Sequence, residues 1–155
     1  MNIYPSLSQR LKAQSQAIQQ LTTGISDYKL NTPPAADKWS ALDNIAHLAR
    51  YQIIFIERMH RILNEDTPAF EGYNGNLDPG FTPYRTMLLS DLLSTIETDR
   101  TVLFDLVTNL NEAELNRIGI HPRYGRLSIL KWTEFFVLHE AHHLLTIFQL
   151  VNAPE

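Results

Sequence analysis

A chain of 155 residues with 44% hydrophobic and 19% charged side chains has a globular composition and enough length for one core, which excludes disordered and fibrous classes. Thirteen Lys and Arg against seventeen Asp and Glu leave a net charge of −4, so no basic footprint exists for a phosphate backbone and no nucleic-acid partner is expected. The absence of cysteine removes disulfide frameworks, Cys-ligated zinc, iron–sulfur clusters and thiol catalysis by the protein itself.

Residues 1–10 hold no apolar signal-peptide region, and no uncharged apolar run approaches the ~20 residues of a membrane span. The expectation is one domain over residues 1–155, cytoplasmic and with no membrane partner. In chain order, Leu7, Leu11, Ile18 and Leu21 repeat at helical steps and predict a first helix from Pro5 to Leu21, with Gly24 as its stop. Asn31 to Lys38, with Pro33-Pro34, reads as a connector. Ser40 and Asp43 have capping-box spacing and open a second helix that runs to Leu63. Asn64 to Gly80 is a long loop rich in Asn, Gly, Pro and Asp, and loops of that length are often functional. Thr82-Pro83 opens a third helix, with Leu88, Leu92, Ile96, Leu103, Leu106 and Leu110 as its stripe. Asn111 and Glu114 mark a short capped turn. Arg117 to Arg126 contains Gly119, Pro122 and Gly125 and reads as a linker before a fourth helix from Ser128 to Val151. No alternation is long enough to build a sheet. The pattern is all-α, a four-helix bundle.

Six histidines carry the chemical signal: His47, His60, His121, His139, His142 and His143. On the last helix His139 and His143 are one turn apart and only ~40° apart around the axis, so both rings can converge on one ion. They share a face with Trp132, Phe135, Phe136, Thr146 and Leu150, where polar rings are costly unless bonded. A metal explains that placement better than a pair of core histidines satisfied by other partners. His47, on a face with Asn44, Tyr51, Ile54 and Arg58, is the best third ligand from another helix. His60 reads as a surface or helix-end residue. His121 reads as solvated, with lining of the site mouth as the alternative. His142 is turned ~100° from His143 and suits packing or an outer contact, with replacement of one of the pair as ligand the alternative. Asp43 could hold the free nitrogen of His47, but its capping role is the simpler one. Glu140 reads as a surface charge, with a general base at the rim as the alternative. Three imidazoles leave one coordination position open, which suits either water or an exogenous thiol.

Trp39-Ser40 ahead of Ile45-Ala46-His47-Leu48, Arg100 on the third helix, His121-Pro122, Gly125-Arg126-Leu127-Ser128 and His139-x-x-His142-His143-Leu144 together resemble the DinB/YfiT-like superfamily over nearly the whole chain. That resemblance implies a four-helix bundle. It also implies His47, His139 and His143 as ligands of one divalent ion, zinc or nickel. Its characterised members include transferases and isomerases that use low-molecular-weight thiols, and many others are assigned as metal-dependent hydrolases. The expected partner is therefore a small-molecule substrate, with a low-molecular-weight thiol among the candidates.

His139-Glu140-x-x-His143 also satisfies the H-E-x-x-H signature of zincin peptidases. After it come only Leu144 to Glu155, with no histidine and Gln149 where an extended motif has one. A peptidase is therefore the weaker alternative. A catalytically silent metal-binding bundle acting as an interaction module is the other, and apolar helix faces also allow a homodimer.

Overall fold

A computed structural model of the chain describes residues 3–154. The first rod of a four-helix bundle is α1 (Pro5–Ala13), which passes through one 3₁₀ turn into α2 (Ala17–Thr22). After the short α3 (Asp27–Asn31), α4 (Ala41–Asn64) forms the second rod. The stub α5 (Thr82–Arg85) precedes the third rod, α6 (Leu89–Asn109). Then come α7 (Glu112–Leu115), the strands β1 (Ile118–His121) and β2 (Gly125–Ser128), and the fourth rod, α8 (Ile129–Asn152). Helix α4 packs against both α6 and α8. Among the described residues no helix is long and apolar enough to cross a membrane.

The apolar stripes meet in two buried clusters. One gathers Leu7, Leu11, Phe55, Met59, Leu103, Trp132 and Phe136, and the other Ile18, Ile45, Ala46, Leu92, Ile96 and Ile147. Burying each large side chain contributes about 1.5–3 kcal/mol. At the start of α4 the Ser40 N–H donates to Asp43 Oδ2 at 3.0 Å and the Asp43 N–H donates to Ser40 Oγ at 3.1 Å, so the expected capping box is present. The box at Asn111 and Glu114 is present as well.

Three departures from the sequence expectations matter. The first helix is interrupted at Gln14–Gln16, where the Gln14 amide turns inward and donates to the Val137 carbonyl at 2.7 Å and to Glu140 Oε1 at 3.0 Å. Thr82-Pro83 starts only the one-turn α5, and α6 begins afresh at Leu89, leaving Leu88 exposed. The Arg117–Arg126 linker contains an antiparallel hairpin in which Ile118 faces Ser128 and His121 faces Gly125. Its strands are four residues each, too short to show alternation. Gly125 has φ +70°, which suits the left-handed residue closing a three-residue hairpin loop. At Gly119 a Cβ would lie 2.7 Å from Ile62 Cδ1, so the hairpin can lie on α4 only with glycine there.

The interior also holds a charge pair. Arg100 and Glu140 are 4% and 2% exposed, and their side chains form an ion pair between α6 and α8. Arg100 Nε donates to Gln52 Oε1 at 2.7 Å and Nη1 to the Leu11 carbonyl at 3.0 Å. Gln52 Nε2 in turn donates to the Ile96 carbonyl at 2.8 Å. One guanidinium thus ties all four rods together. The reading of Glu140 as a surface charge is overturned, because its charge is held by a partner forty positions away. Removing one member of such a pair leaves an uncompensated buried charge. Glu140→Gln should therefore lower unfolding stability by about 3–5 kcal/mol in denaturant titrations, and a loss below about 1 kcal/mol would contradict this account.

Candidate metal centre

The second and fourth rods bring three imidazoles together. His47 lies on the buried face of α4 beside Asn44 and Tyr51, and His139 and His143 lie one turn apart on α8. His47 Nε2 and His139 Nε2 are 3.2 Å apart. Each of the three rings offers a nitrogen within 4.8 Å of the others. Two nitrogens bound about 2.0–2.1 Å from one tetrahedral ion stand about 3.4 Å apart, so the observed spacing fits a shared ion.

A chain of hydrogen bonds from the helix cap orients one ring. The Asn44 amide nitrogen donates to the Ser40 carbonyl at 2.8 Å, which turns its oxygen toward α8. His143 Nδ1 then donates to Asn44 Oδ1 at 2.8 Å, leaving Nε2 of His143 with a free lone pair. His47 and His139 have no protein partner at Nδ1, although both atoms are buried. Burial pushes all three rings well below the usual imidazole range: His47 to about 3, His139 to about 2 and His143 to about 4, with neighbouring histidines adding to the effect. The rings are therefore neutral at physiological pH, as metal ligands must be.

The loop from 64 to 80 closes over His47. Trp39 packs 4.9 Å from the His47 ring, and its indole N–H donates to Asn76 Oδ1 at 2.9 Å. Gly75 sits so close that a Cβ there would lie 3.0 Å from Trp39 and 3.3 Å from His47 Nδ1. Tyr73 stacks at 5.4 Å on His47, and its hydroxyl donates to Asp78 Oδ2 at 3.1 Å. Asp78 is held in turn by Arg50 Nε at 2.8 Å. Beside the imidazoles opens a cavity of about 700 Å³, lined among others by His47, His139, Tyr73, His121, Phe135 and His142.

The remaining sequence candidates separate cleanly. Asp43 does not reach His47; its carboxylate serves Ser40 and the Arg85 Nε at 2.7 Å. Glu140 faces Arg100 and Gln14, not the rim, so the H-E-x-x-H reading lacks its base. His142 is exposed on the cavity wall, and His60 is exposed near the end of α4. His121 is buried rather than solvated, and it lines the same cavity. Its Nδ1 accepts from the backbone N–H groups of Arg123 and Tyr124, both at 3.1 Å. Of the aromatic residues expected along the site, Phe135 lines the cavity, whereas Trp132 and Phe136 belong to the core. Sequence reasoning gave no role to Asn44 or Trp39, and it gave Tyr73 one only as part of a long loop that could cover the site or contact a partner. Asn44 was on the same helical face as His47, one turn earlier, which is the only signal it carried.

Residues 10–147 match the DinB superfamily. YuaE of Bacillus subtilis, a protein described as uncharacterized, is 25% identical over 134 residues, which span 78% of this chain and 82% of YuaE. Among solved structures, YfiT of Bacillus subtilis superposes with a TM-score of 0.81 at 22% identity, covering 94% of this chain and 83% of its own. It is described as a probable metal-dependent hydrolase with an unusual four-helix bundle topology. The four-helix bundle protein TT2238 superposes with a TM-score of 0.66 at 21% identity, covering 92% of this chain and 95% of its own.

The three depressed imidazoles set an acid limit on the metal-free fold. In the unfolded chain they titrate near 6.5, so below that pH the unfolded state binds protons that the folded state refuses. Stability is full about one pH unit above 6.5 and falls as pH drops toward the folded values, the slope steepening to about 4 kcal/mol per pH unit near pH 5 from these three groups. Chelator-treated protein should show this slope in denaturant titrations between pH 7 and 5, and a flat profile would contradict it.

Proposed function

The chain belongs to the DinB superfamily, and on that premise we propose that it is a divalent-metal-dependent enzyme acting on a small molecule, with His47, His139 and His143 as the ligands of one zinc or nickel ion. The observation that carries this reading is the convergence of three neutral ring nitrogens, two of them on His47 and His139, which line a cavity about 700 Å³ in volume. Three neutral ligands match the open sites of catalytic zinc rather than the closed four-ligand sites of structural zinc. YfiT, the structural relative described as a probable metal-dependent hydrolase, supports the same reading.

The bound ion supplies an electrophilic centre that lowers the pKa of a water or thiol at its open position. The chain's own residues do the rest. Asn44 fixes the ring of His143, and the Trp39–Gly75 contact shields His47 from solvent. His142, exposed on the cavity wall and outside the ligand set, is placed to take up or return a proton. Glu140 takes no part, being held by Arg100. A cavity of this volume suits a compact molecule, so the substrate is small and not a polymer. Held by His47, His139 and His143, an ion would favour an anion at the position they leave open, which either thiol-dependent transfer or hydrolysis would draw on. The runner-up, a non-catalytic interaction module, draws on Leu138, Leu145 and Phe148, which are exposed on α8.

Elemental analysis of purified protein should find about one divalent ion per chain, and His47→Ala should remove most of it with the helical content unchanged. Full metal retention in that variant would take His47 out of the ligand set. With cobalt in the site, glutathione, cysteine or bacillithiol should produce an intense sulfur-to-metal charge-transfer band. A spectrum indifferent to every thiol, with cobalt still bound, would remove the transferase branch, and one indifferent also to hydrolysable small molecules would favour the module.

A further inference from the structure

The cavity beside the three histidines is also lined by Arg58, His121, Arg123 and Tyr124, and none of its lining residues is acidic. Arg58 is 9% exposed, yet among the described residues it pairs with no carboxylate, whereas Arg10, Arg50, Arg61, Arg85 and Arg100 all do. Its Nη2 donates to the backbone carbonyl of Glu71 at 2.9 Å. Three aromatic rings, those of Phe70, Trp132 and Tyr51, lie 5.4, 5.8 and 6.0 Å from its guanidinium carbon. Cation–π contacts, one carbonyl and a hydrogen-bonding contact with the neutral Tyr51 side chain hold the group in place without neutralising it. A nearly buried guanidinium is an expensive thing to leave unpaired, and the same fold pairs its other buried arginine, Arg100, completely.

His121 stands on the same wall with its tautomer settled. Because Nδ1 accepts two backbone N–H groups, the ring proton is on Nε2, which makes that atom a donor. Burial and then the charges of Arg58 and Arg123 hold His121 below the usual imidazole range, so the surroundings are electropositive. Arg123, in the hairpin loop, brings a second guanidinium to the cavity, 5.6 Å above the Tyr124 ring.

We infer that this cavity binds a compact molecule bearing an oxyanion, a carboxylate or a phosphate, which docks on the guanidinium of Arg58 with Arg123 and the His121 Nε2–H beside it, while Tyr73, Tyr124 and Phe135 receive its planar or apolar part. The planar fork of an arginine suits either oxyanion. Calling that molecule the substrate rests on the metal-site reading above; the anion site itself rests on Arg58.

The test titrates benzoate, phenyl phosphate and the neutral benzamide into the full chain, first chelator-treated and then zinc-loaded, at one ionic strength. At least one anion should bind the metal-free protein tenfold or more tightly than benzamide, and the tighter of the two identifies the headgroup. Arg58→Gln should abolish that preference. Arg58→Lys, which retains the charge and guards against a folding failure of the first variant, should weaken it about tenfold by losing the fork. Circular dichroism verifies that each variant is folded. Anions that bind no tighter than benzamide overturn the proposal. So does a preference that appears only with zinc and survives both substitutions, because the anion then sits on the ion; the metal reading would stand. Arg58-dependent anion binding by a protein that takes up no zinc upholds the anion site while defeating the metal reading.

Discussion

The buried ion pair of Arg100 and Glu140 sets the rotation of α8, and the geometry of the candidate metal centre follows from that rotation. Glu140 is adjacent in sequence to His139 and about 100° away around the helix. Once its carboxylate is drawn toward α6 and α1 by Arg100 and Gln14, the next stripe of α8 is turned toward α4. That stripe carries His139 and His143, and α4 presents His47 and Asn44 to it. The same sequence, H-E-x-x-H, that suggests a peptidase base is thus used for alignment. The carboxylate serves on one side of the helix and the imidazoles on another. A network tying four rods through one guanidinium is costly to desolvate, and its value lies in the single arrangement that it specifies.

The second constraint is dryness. Neutral imidazoles close together on a core face persist because burial disfavours their protonated forms, and Tyr73 and Gly75 of the loop from 64 to 80 lie against His47. Gly75 permits the approach of backbone to Trp39 and His47, and Asn76 and Asp78 anchor the loop to Trp39 and Arg50. The hairpin contributes His121, Arg123 and Tyr124 to the cavity lining, where Gly119 lets β1 lie on Ile62 and the Arg123–Tyr124 loop folds back onto His121. The cavity is lined by neutral imidazoles and aromatic rings together with the guanidinium groups of Arg58 and Arg123, and by no carboxylate.

Much of this was legible in the sequence, for reasons that are local. The i, i+4 pair His139 and His143 can be read because helical periodicity alone brings the rings together. Ser40 and Asp43 can be read because a capping box involves neighbours three residues apart. Glu140 could not be placed, since a carboxylate on a helix gives no sign of the arginine that will bury it. Asn44 was visible on the right face, but its role depends on an amide orientation set by the Ser40 carbonyl. The hairpin escaped because Gly119, Pro122 and Gly125 look like linker residues, and two four-residue strands hold too few positions to display a period. The break before α6 escaped because Thr82-Pro83 is a sound helix start, and no local signal says that the helix lasts a single turn.

The central claim is that three histidines from two rods hold one ion at the wall of this cavity. Anomalous X-ray diffraction from crystals grown with zinc, recorded on both sides of the zinc absorption edge, tests it most directly. The account predicts one dominant peak about 2.0–2.1 Å from a ring nitrogen of each of His47, His139 and His143, with electron density for a non-protein fourth ligand on the cavity side. A peak elsewhere, for example on the exposed His142 or His60, with the three buried rings bonded only to one another and to Asn44, would contradict it.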